Sequence, residues 1–326
     1  MRLSTYLKGM GAAGFAALTS ATNAVAQGLE FVGQPIDGKL GFQPPATSLA
    51  VEQQWLDHMI LVIISVVVVF VCGLMLYVIL RFNSRANPVP SRFTHNSPLE
   101  VAWTLIPVLV LVFIGFFSLP ILFNQQEIPK GDVVIKITGN QWYWSYEYPE
   151  EGIETYDSFM IDGAYEINDP AAGWDKGQAM TTRQTLDDVT VKKLEYFGYG
   201  RDQFLLATDT AMVVPVGRDV VLQITAADVI HSWKIPAFAV MQDAVPGRTA
   251  HAWFNANREG IYFGQCSELC GKDHAFMPIT VKVVSEAAYA KWVEKAKGGD
   301  VRLTAEMLTA EALVPADGSV SVAVAD

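Results

Sequence analysis

The sequence predicts a two-helix transmembrane hairpin followed by an all-β sandwich or barrel, and three observations carry that prediction. Two nearly uncharged apolar runs lie between residues 58 and 123, each as long as the roughly 20 residues a membrane-crossing helix needs. Beyond them, short runs of Val, Ile and aromatic residues alternate with polar ones between turn residues. No helical run of comparable length interrupts these, which disfavours a parallel α/β sheet. A chain of 326 residues accommodates both parts, and the two runs account for its 51% hydrophobic content.

Residues 1–26 have the layout of an export signal. Arg2 and Lys8 open it, a Gly/Ala/Phe/Leu stretch follows, and Ala24-Val25-Ala26 fits the cleavage pattern before Gln27. Residues 27–57 then form an exported N-terminal segment. The first span runs from about Met59 to Leu80, the second from about Val101 to Phe123 with Pro107 and Pro120 inside it. Their connecting loop holds Arg81, Arg85 and Arg92 and no acid, which places it in the cytoplasm. Both termini and everything after about Asn124 then face the outside. The expected location is a bacterial inner membrane, in contact with its lipid, with the β domain in the periplasm. Ser97-Pro98-Leu99-Glu100 reads as a capping box, with Ser97 at the cap, Pro98 at the first helical position and Glu100 at the third.

The exported domain covers residues 124–297. Alternation predicts strands at Asp132–Thr138, Asp219–Ala226, Ala250–Phe254, Ile261–Gly264 and Pro278–Val284. Trp142, Tyr143, Trp144, Tyr146 and Tyr148 form an aromatic stripe whose plain reading is strand packing. Residues 163–200 break the rhythm and read as a long insertion, with a short helix around Thr182–Lys193. Ser285–Ala296 reads as a closing helix capped by Ser285. Residues 298–326, rich in Ala, Val and acids, are expected to be a disordered tail.

The chemistry concentrates in Cys266-Ser267-Glu268-Leu269-Cys270-Gly271-Lys272-Asp273-His274-Ala275-Phe276-Met277. Two thiols, an imidazole and a thioether are a soft-ligand set, suited to copper and not to hard cations. Two neighbouring thiolates can also bridge a pair of metals. A second histidine should arrive from elsewhere, and His231, following the Asp219–Ala226 strand, is the candidate. The alternative is a zinc site of two Cys and two His, but zinc has no use for Met277 and its structural sites use tighter spacing. Of the three cysteines, Cys72 lies in an apolar run and reads as a small hydrophobe. His58, His95 and His251 lack a soft-ligand neighbourhood. The net charge of −11 argues against nucleic acid and suits a basic partner.

Gly264-Gln265-Cys266-Ser267-Glu268-Leu269-Cys270-Gly271, continuing through His274 to Met277-Pro278, resembles subunit II of haem–copper cytochrome c oxidase. The resemblance extends to both spans, to Gln141–Tyr148 and to the Val229–Pro236 loop, covering about residues 50–296 outside the insertion. It implies a cupredoxin-like domain with a binuclear copper A centre. Cys266 and Cys270 would bridge the coppers, His231 and His274 would be terminal ligands, and Met277 the weak thioether ligand. Glu268 would bind copper through its carbonyl, and magnesium or manganese through its side chain, at a subunit boundary; a carboxylate suits such hard cations.

The resemblance also implies that Trp142 receives electrons from cytochrome c and that Glu147, Asp209 and Asp228 are docking carboxylates. Glu100 would stand at the mouth of a proton path. The implied partners are the catalytic haem–copper subunit I, other oxidase subunits and cytochrome c, with oxygen reduced to water and protons pumped. The chain has no haem-binding bundle and would not be catalytic alone. The quinol-oxidase counterpart lacks the copper ligands present here, and no Cys-x-x-Cys-His occurs for a fused cytochrome. A membrane-tethered copper-delivery protein is the competing reading from another class.

Overall fold

The computed structural model describes residues 25, 26, 28–175 and 182–308. Nearly all of the expected leader, and residues 309–326 of the expected tail, lie outside the described residues. A short strand β1 (Val25–Ala26) pairs antiparallel with β2 (Leu29–Gly33). The hairpin follows as α1 (Ser48–Arg81) and α2 (Ser97–Gln126), both long and apolar enough to cross a membrane, with their apolar windows unburied.

At about 1.5 Å per residue α1 is roughly 50 Å long, well beyond a hydrocarbon core of about 30 Å. The surplus lies at its start. The Thr47 side chain accepts a hydrogen bond from the Ala50 N–H, and Leu49 and Ala50 bury beside Ala239 and Trp253. Thr47 also donates to the Phe238 carbonyl at 2.9 Å, and Gln125 of α2 donates to the Ala239 carbonyl at 3.0 Å. The helix therefore begins inside the β domain, about ten residues before the uniformly apolar stretch that sequence alone detects.

The cap of α2 is displaced by one residue from the predicted box. Asn96, not Ser97, is the cap: its side chain accepts from the Leu99 N–H at 3.2 Å, while Glu100 accepts from the Asn96 N–H at 3.1 Å. The reciprocal pattern survives with Pro98 at the second helical position, where a missing donor costs nothing. The helix continues through Pro107 and Pro120.

The β domain comprises β3 (Val133–Asn140), β4 (Tyr143–Tyr148), β5 (Ile153–Ser158), β6 (Met212–Pro215), β7 (Asp219–Ala226), β8 (His231–Ile235), β9 (Val240–Ala244), β10 (Ala250–Asn255), β11 (Gly260–Gln265) and β12 (Pro278–Val284). One sheet has the order β10-β7-β3-β4-β5, the other β1-β2-β11-β12-β6, and β8-β9 form a separate hairpin. Ile135, Ile137, Trp144, Tyr146, Leu222, Ile224, Tyr262 and Val281 belong to one continuous core, as expected for a two-sheet sandwich. The plain strand-packing reading holds for Trp144, Tyr146 and Tyr148, all fully buried.

The segment read as an insertion is folded over the second sheet. Its helix α3 (Asp188–Tyr196) starts later than predicted because Asp187 caps it, accepting from the Thr190 N–H. Leu194, Phe197 and Tyr199 are buried, and Lys193 Nζ donates to the Gly163 carbonyl at 2.8 Å. The chain then closes with α4 (Glu286–Ala296), capped by Ser285 as predicted, and α5 (Ala305–Leu308). The described part of the expected tail packs: Leu303 and Met307 are buried, and Trp292 donates to the Val301 carbonyl at 2.8 Å. Apolar residues spaced too sparsely to signal a helix are enough to dock this stretch.

Lys282 of β12 lies under the covering segment, 5.4 Å from the Tyr199 ring centre, and burial pushes its ammonium down to about 8 from 10.5. Below pH 8 the folded chain must carry a buried charge, and that cost is lost as pH rises towards 10.5, where the unfolded lysine also gives up its proton. Lys282→Met is expected to stabilise the chain at pH 7 by up to about 3 kcal/mol. Denaturant unfolding at pH 7 and pH 10 checks this, since the gain must shrink at the higher pH. An equal gain at both would contradict it.

Candidate metal centre

Three connections meet at one end of the sandwich: the β3–β4 turn with Gln141 and Trp142, the β7–β8 loop ending at His231, and the β11–β12 loop from Cys266 to Met277. Pairing of Gln265 with Pro278 closes the base of the last loop. The Ser267 N–H donates to the Ser232 carbonyl at 3.0 Å, tying that loop to β8. Gly264 permits the approach, because a Cβ there would land on the Lys234 carbonyl oxygen. Gly139 does the same for the histidine: its Cβ would stand 2.9 Å from Cδ2 of His231.

The donor atoms converge. Cys266 Sγ and Cys270 Sγ are 3.9 Å apart, and both cysteines are free thiols. His231 Nδ1 lies 3.9 Å from Cys266 Sγ, and His274 Nδ1 lies 3.5 Å from Cys270 Sγ. Met277 Sδ is 3.4 Å from Cys270 Sγ, and the Glu268 carbonyl oxygen is 3.3 Å from Cys266 Sγ. His231, Cys266, Cys270 and Met277 are buried, whereas the Glu268 side chain is exposed. All six predicted ligand positions thus come together.

Electrostatics distinguish the two thiols. Burial opposes ionisation of Cys266, but hydrogen bonds from His231 and the backbone at Ser232 outweigh it and bring its pKa down. Burial and the neighbouring Cys266 sulfur push Cys270 up. The pocket favours one thiolate and resists two; a bound cation removes that resistance, because metal coordination deprotonates thiols outright. The soft donor set, with a thioether beside one thiol of the pair, fits copper.

The surrounding shell orients these ligands. The far nitrogen of His231, Nε2, faces Asp228 Oδ1 at 2.9 Å, the arrangement that fixes a ligand imidazole's tautomer and direction. Asp228 also accepts from the Gln141 N–H at 2.7 Å and the Val229 N–H at 2.6 Å; although burial raises its pKa, the hydrogen bond with His231 and these two backbone bonds hold it below the usual value. Trp142 Nε1 and Gln141 Nε2 both donate to the Cys270 carbonyl, at 3.2 and 2.8 Å. The Trp142 ring is half-buried, with Lys272 Nζ 5.5 Å from its centre, and so is less open than an exposed indole. Trp144 was not separable from ordinary core by sequence, yet its ring meets His231 edge-on at 5.8 Å and its Nε1 donates to the Met277 carbonyl.

The three acids expected to dock a partner are held in three different ways. Asp228 belongs to the His231 shell. Glu147 pairs with Lys136 at 3.0 Å. Asp209 accepts from the Phe159 N–H, the Thr210 N–H and the Tyr165 hydroxyl, each at 2.8 Å, and burial raises its pKa. Its carboxylate is a structural hub between β5 and the covering segment.

Fold and donor set together define a membrane-anchored, cupredoxin-like, copper-binding protein. A family model described as cytochrome c oxidase subunit II, periplasmic domain, matches residues 133–171 and 181–284, and one described as its transmembrane domain matches residues 35–121. Only residues 172–180 of the supposed insertion fall outside the first match. Cytochrome c oxidase subunit 2 of Cereibacter sphaeroides is 57% identical over 306 residues, covering 93% of this chain and 96% of that one. The subunit 2 of Oenothera berteroana is 35% identical, over 78% and 89% of the two chains. The crystallised periplasmic domain of subunit II from Bradyrhizobium japonicum is 41% identical, covering 53% of this chain and 98% of that one at a TM-score of 0.39. The chain belongs to the cytochrome c oxidase subunit II family. It is a subunit of a haem–copper terminal oxidase, spans the membrane twice and associates with other subunits of that enzyme.

Proposed function

We propose that the chain is the electron-accepting subunit of its oxidase, taking electrons from cytochrome c at a binuclear copper centre and passing them to haem in the catalytic subunit. Oxygen is reduced to water there, coupled to proton pumping. The observation that carries this reading is the cysteine pair, with sulfurs 3.9 Å apart, flanked on one side by the His231 imidazole and on the other by His274 and Met277. Cys266 and Cys270 would hold two coppers between them, His231 and His274 would close the ends, and Met277 and the Glu268 carbonyl would be weak outer donors. The copper pair supplies a one-electron carrier when bound. The chain's own contribution is a preformed cage: Asp228 holds the His231 ring, Trp142 and Gln141 hold the Cys270 carbonyl, and Trp144 holds the Met277 carbonyl.

The copper-delivery reading is weaker, because its site must open for exchange and His231, Cys266, Cys270 and Met277 are buried where three loops meet. Metal content and the electron paramagnetic resonance spectrum of the full-length chain separate the two. One unpaired electron shared equally by two coppers is expected, and a single-copper spectrum would sink the proposal.

Trp142 is the proposed point of electron input, supported by its hydrogen bond to the carbonyl of a ligand residue. Trp142→Ala is expected to slow electron transfer from cytochrome c far more than it weakens docking, as read by stopped-flow at varied cytochrome concentration. Unchanged transfer rates would remove the indole from the path. Glu147, Asp209 and Asp228 are proposed to contribute to the negative field that attracts a basic cytochrome, Asp228 with a second duty at His231. The exposed Glu268 side chain is proposed to bind magnesium or manganese with a neighbouring subunit. Glu100, at the α2 end next to the loop of Arg81, Arg85 and Arg92, is proposed as the proton-path residue. That loop also supports an inner-membrane placement with the β domain in the periplasm.

A further inference from the structure

His231 and His274 are symmetric as ligands but are held differently. His231 is gripped on its own ring by Asp228. His274 opens a short helical turn, His274–Phe276, in which the Phe276 N–H donates to the Asp273 carbonyl at 2.8 Å. Whatever fixes Asp273 therefore fixes the turn that presents the His274 imidazole.

Asp273 is fixed from outside its loop. Arg183, which precedes α3, donates from Nη1 to Asp273 Oδ2 at 3.1 Å, and its Nε lies 3.6 Å from Asp162 Oδ2. Asp162 is itself immobilised: its side chain is only 6% exposed, and Oδ1 accepts from the Ala164 and Tyr165 N–H groups at 2.8 and 2.7 Å. One guanidinium thus bridges a buried, backbone-anchored carboxylate and the residue next to a ligand. Arginine suits this because its planar, permanently charged fork can hydrogen-bond one carboxylate while ion-pairing with another, which a lysine ammonium on a flexible stem does not reproduce. Arg183 and Phe276 also wall a cleft of about 280 Å³ together with Trp142 and Phe159, so the strut spans from the covering segment to the aromatic face beside the ligand loop.

We propose that Arg183 is a positioning residue for His274, tying Asp273 to Asp162 so that the turn holds Nδ1 of His274 towards Cys270. This inference rests on the copper reading above and extends it to a residue with no place in the ligand set. The test uses the intact oxidase carrying Arg183→Gln, Arg183→Lys or Asp273→Asn. Arg183→Gln is expected to speed copper loss to a chelator by about fivefold, the size of one partly exposed ion pair, and to alter the copper hyperfine pattern. Arg183→Lys should fall between Gln and the parent. Asp273→Asn leaves the Asp162 side of the strut in place and should reproduce the Gln result, which serves if Arg183→Gln fails to assemble. An unchanged spectrum and extraction rate in Asp273→Asn, or a lowered melting temperature with an unchanged spectrum in Arg183→Gln, would overturn the inference. Absence of any two-copper signal in the parent enzyme would instead overturn the proposed function.

Discussion

Cys266→Ser is expected to abolish the paired-metal signal and nearly all oxidation of cytochrome c, while leaving the chain folded. A serine hydroxyl is almost isosteric with the thiol, so the buried position loses little packing. It is a hard, weakly acidic donor, however, and cannot replace a bridging thiolate. Cys266 sits between His231 Nδ1 at 3.9 Å, Cys270 Sγ at 3.9 Å and the Glu268 carbonyl at 3.3 Å, so its removal breaks contact with both halves of the site. Losing a mere outer partner of a metal ligand typically costs about 10–100-fold in affinity or activity, and loss of this ligand should exceed that range. Copper analysis with the spin spectrum checks the expectation. Retention of two equivalent coppers per chain would contradict it.

Gly264→Ala is expected to be the most damaging small substitution in the β domain. Its methyl would collide with the Lys234 carbonyl oxygen and approach Ile235 Cδ1 to 2.8 Å. A backbone atom cannot rotate away, so β8 and β11 must separate. Overpacking of this kind typically costs about 1–3 kcal/mol, and a backbone clash belongs at or above the upper end. Because β8 begins at His231 and β11 runs into Cys266, the same separation pulls two ligands apart. Denaturant unfolding and copper retention should therefore fall together. Gly139→Ala offers a contrast, since its methyl would press on the His231 ring rather than the backbone between strands. It should weaken copper retention with a smaller loss of stability.

Much of this architecture was legible because some signals are local. Uniform apolarity marks a membrane run without tertiary help, and β7 and β12 were bounded correctly. β6, β8 and β9 were not seen: Met212–Pro215 is buried at every position and His231–Ile235 at all but Lys234, so neither shows the alternation that betrays a strand with one wet face. The four donors of the Cys266–Met277 loop were legible from residue type and spacing, whereas His231 required the fold to bring it near. The family resemblance implies a docking role for Asp228 and says nothing of His231, since a carboxylate aimed at an imidazole and one aimed at solvent are identical in sequence. The Asn96 cap was missed because Ser97 followed by proline is also a sound helix start. Arg183 carried no signal at all, because its two partners lie far away along the chain.

The unbroken run of α1 from the Thr47 cap to Arg81 has a mechanical consequence. A stiff rod, with no joint between bilayer and β domain, sets the altitude and bearing of the metal-binding head above the lipid. Deleting one residue in the protruding turns would lower that head by about 1.5 Å and swivel it by about 100°. Under the proposed function, the geometry of electron hand-off to a neighbouring subunit would be written into the register of a helix that touches no ligand.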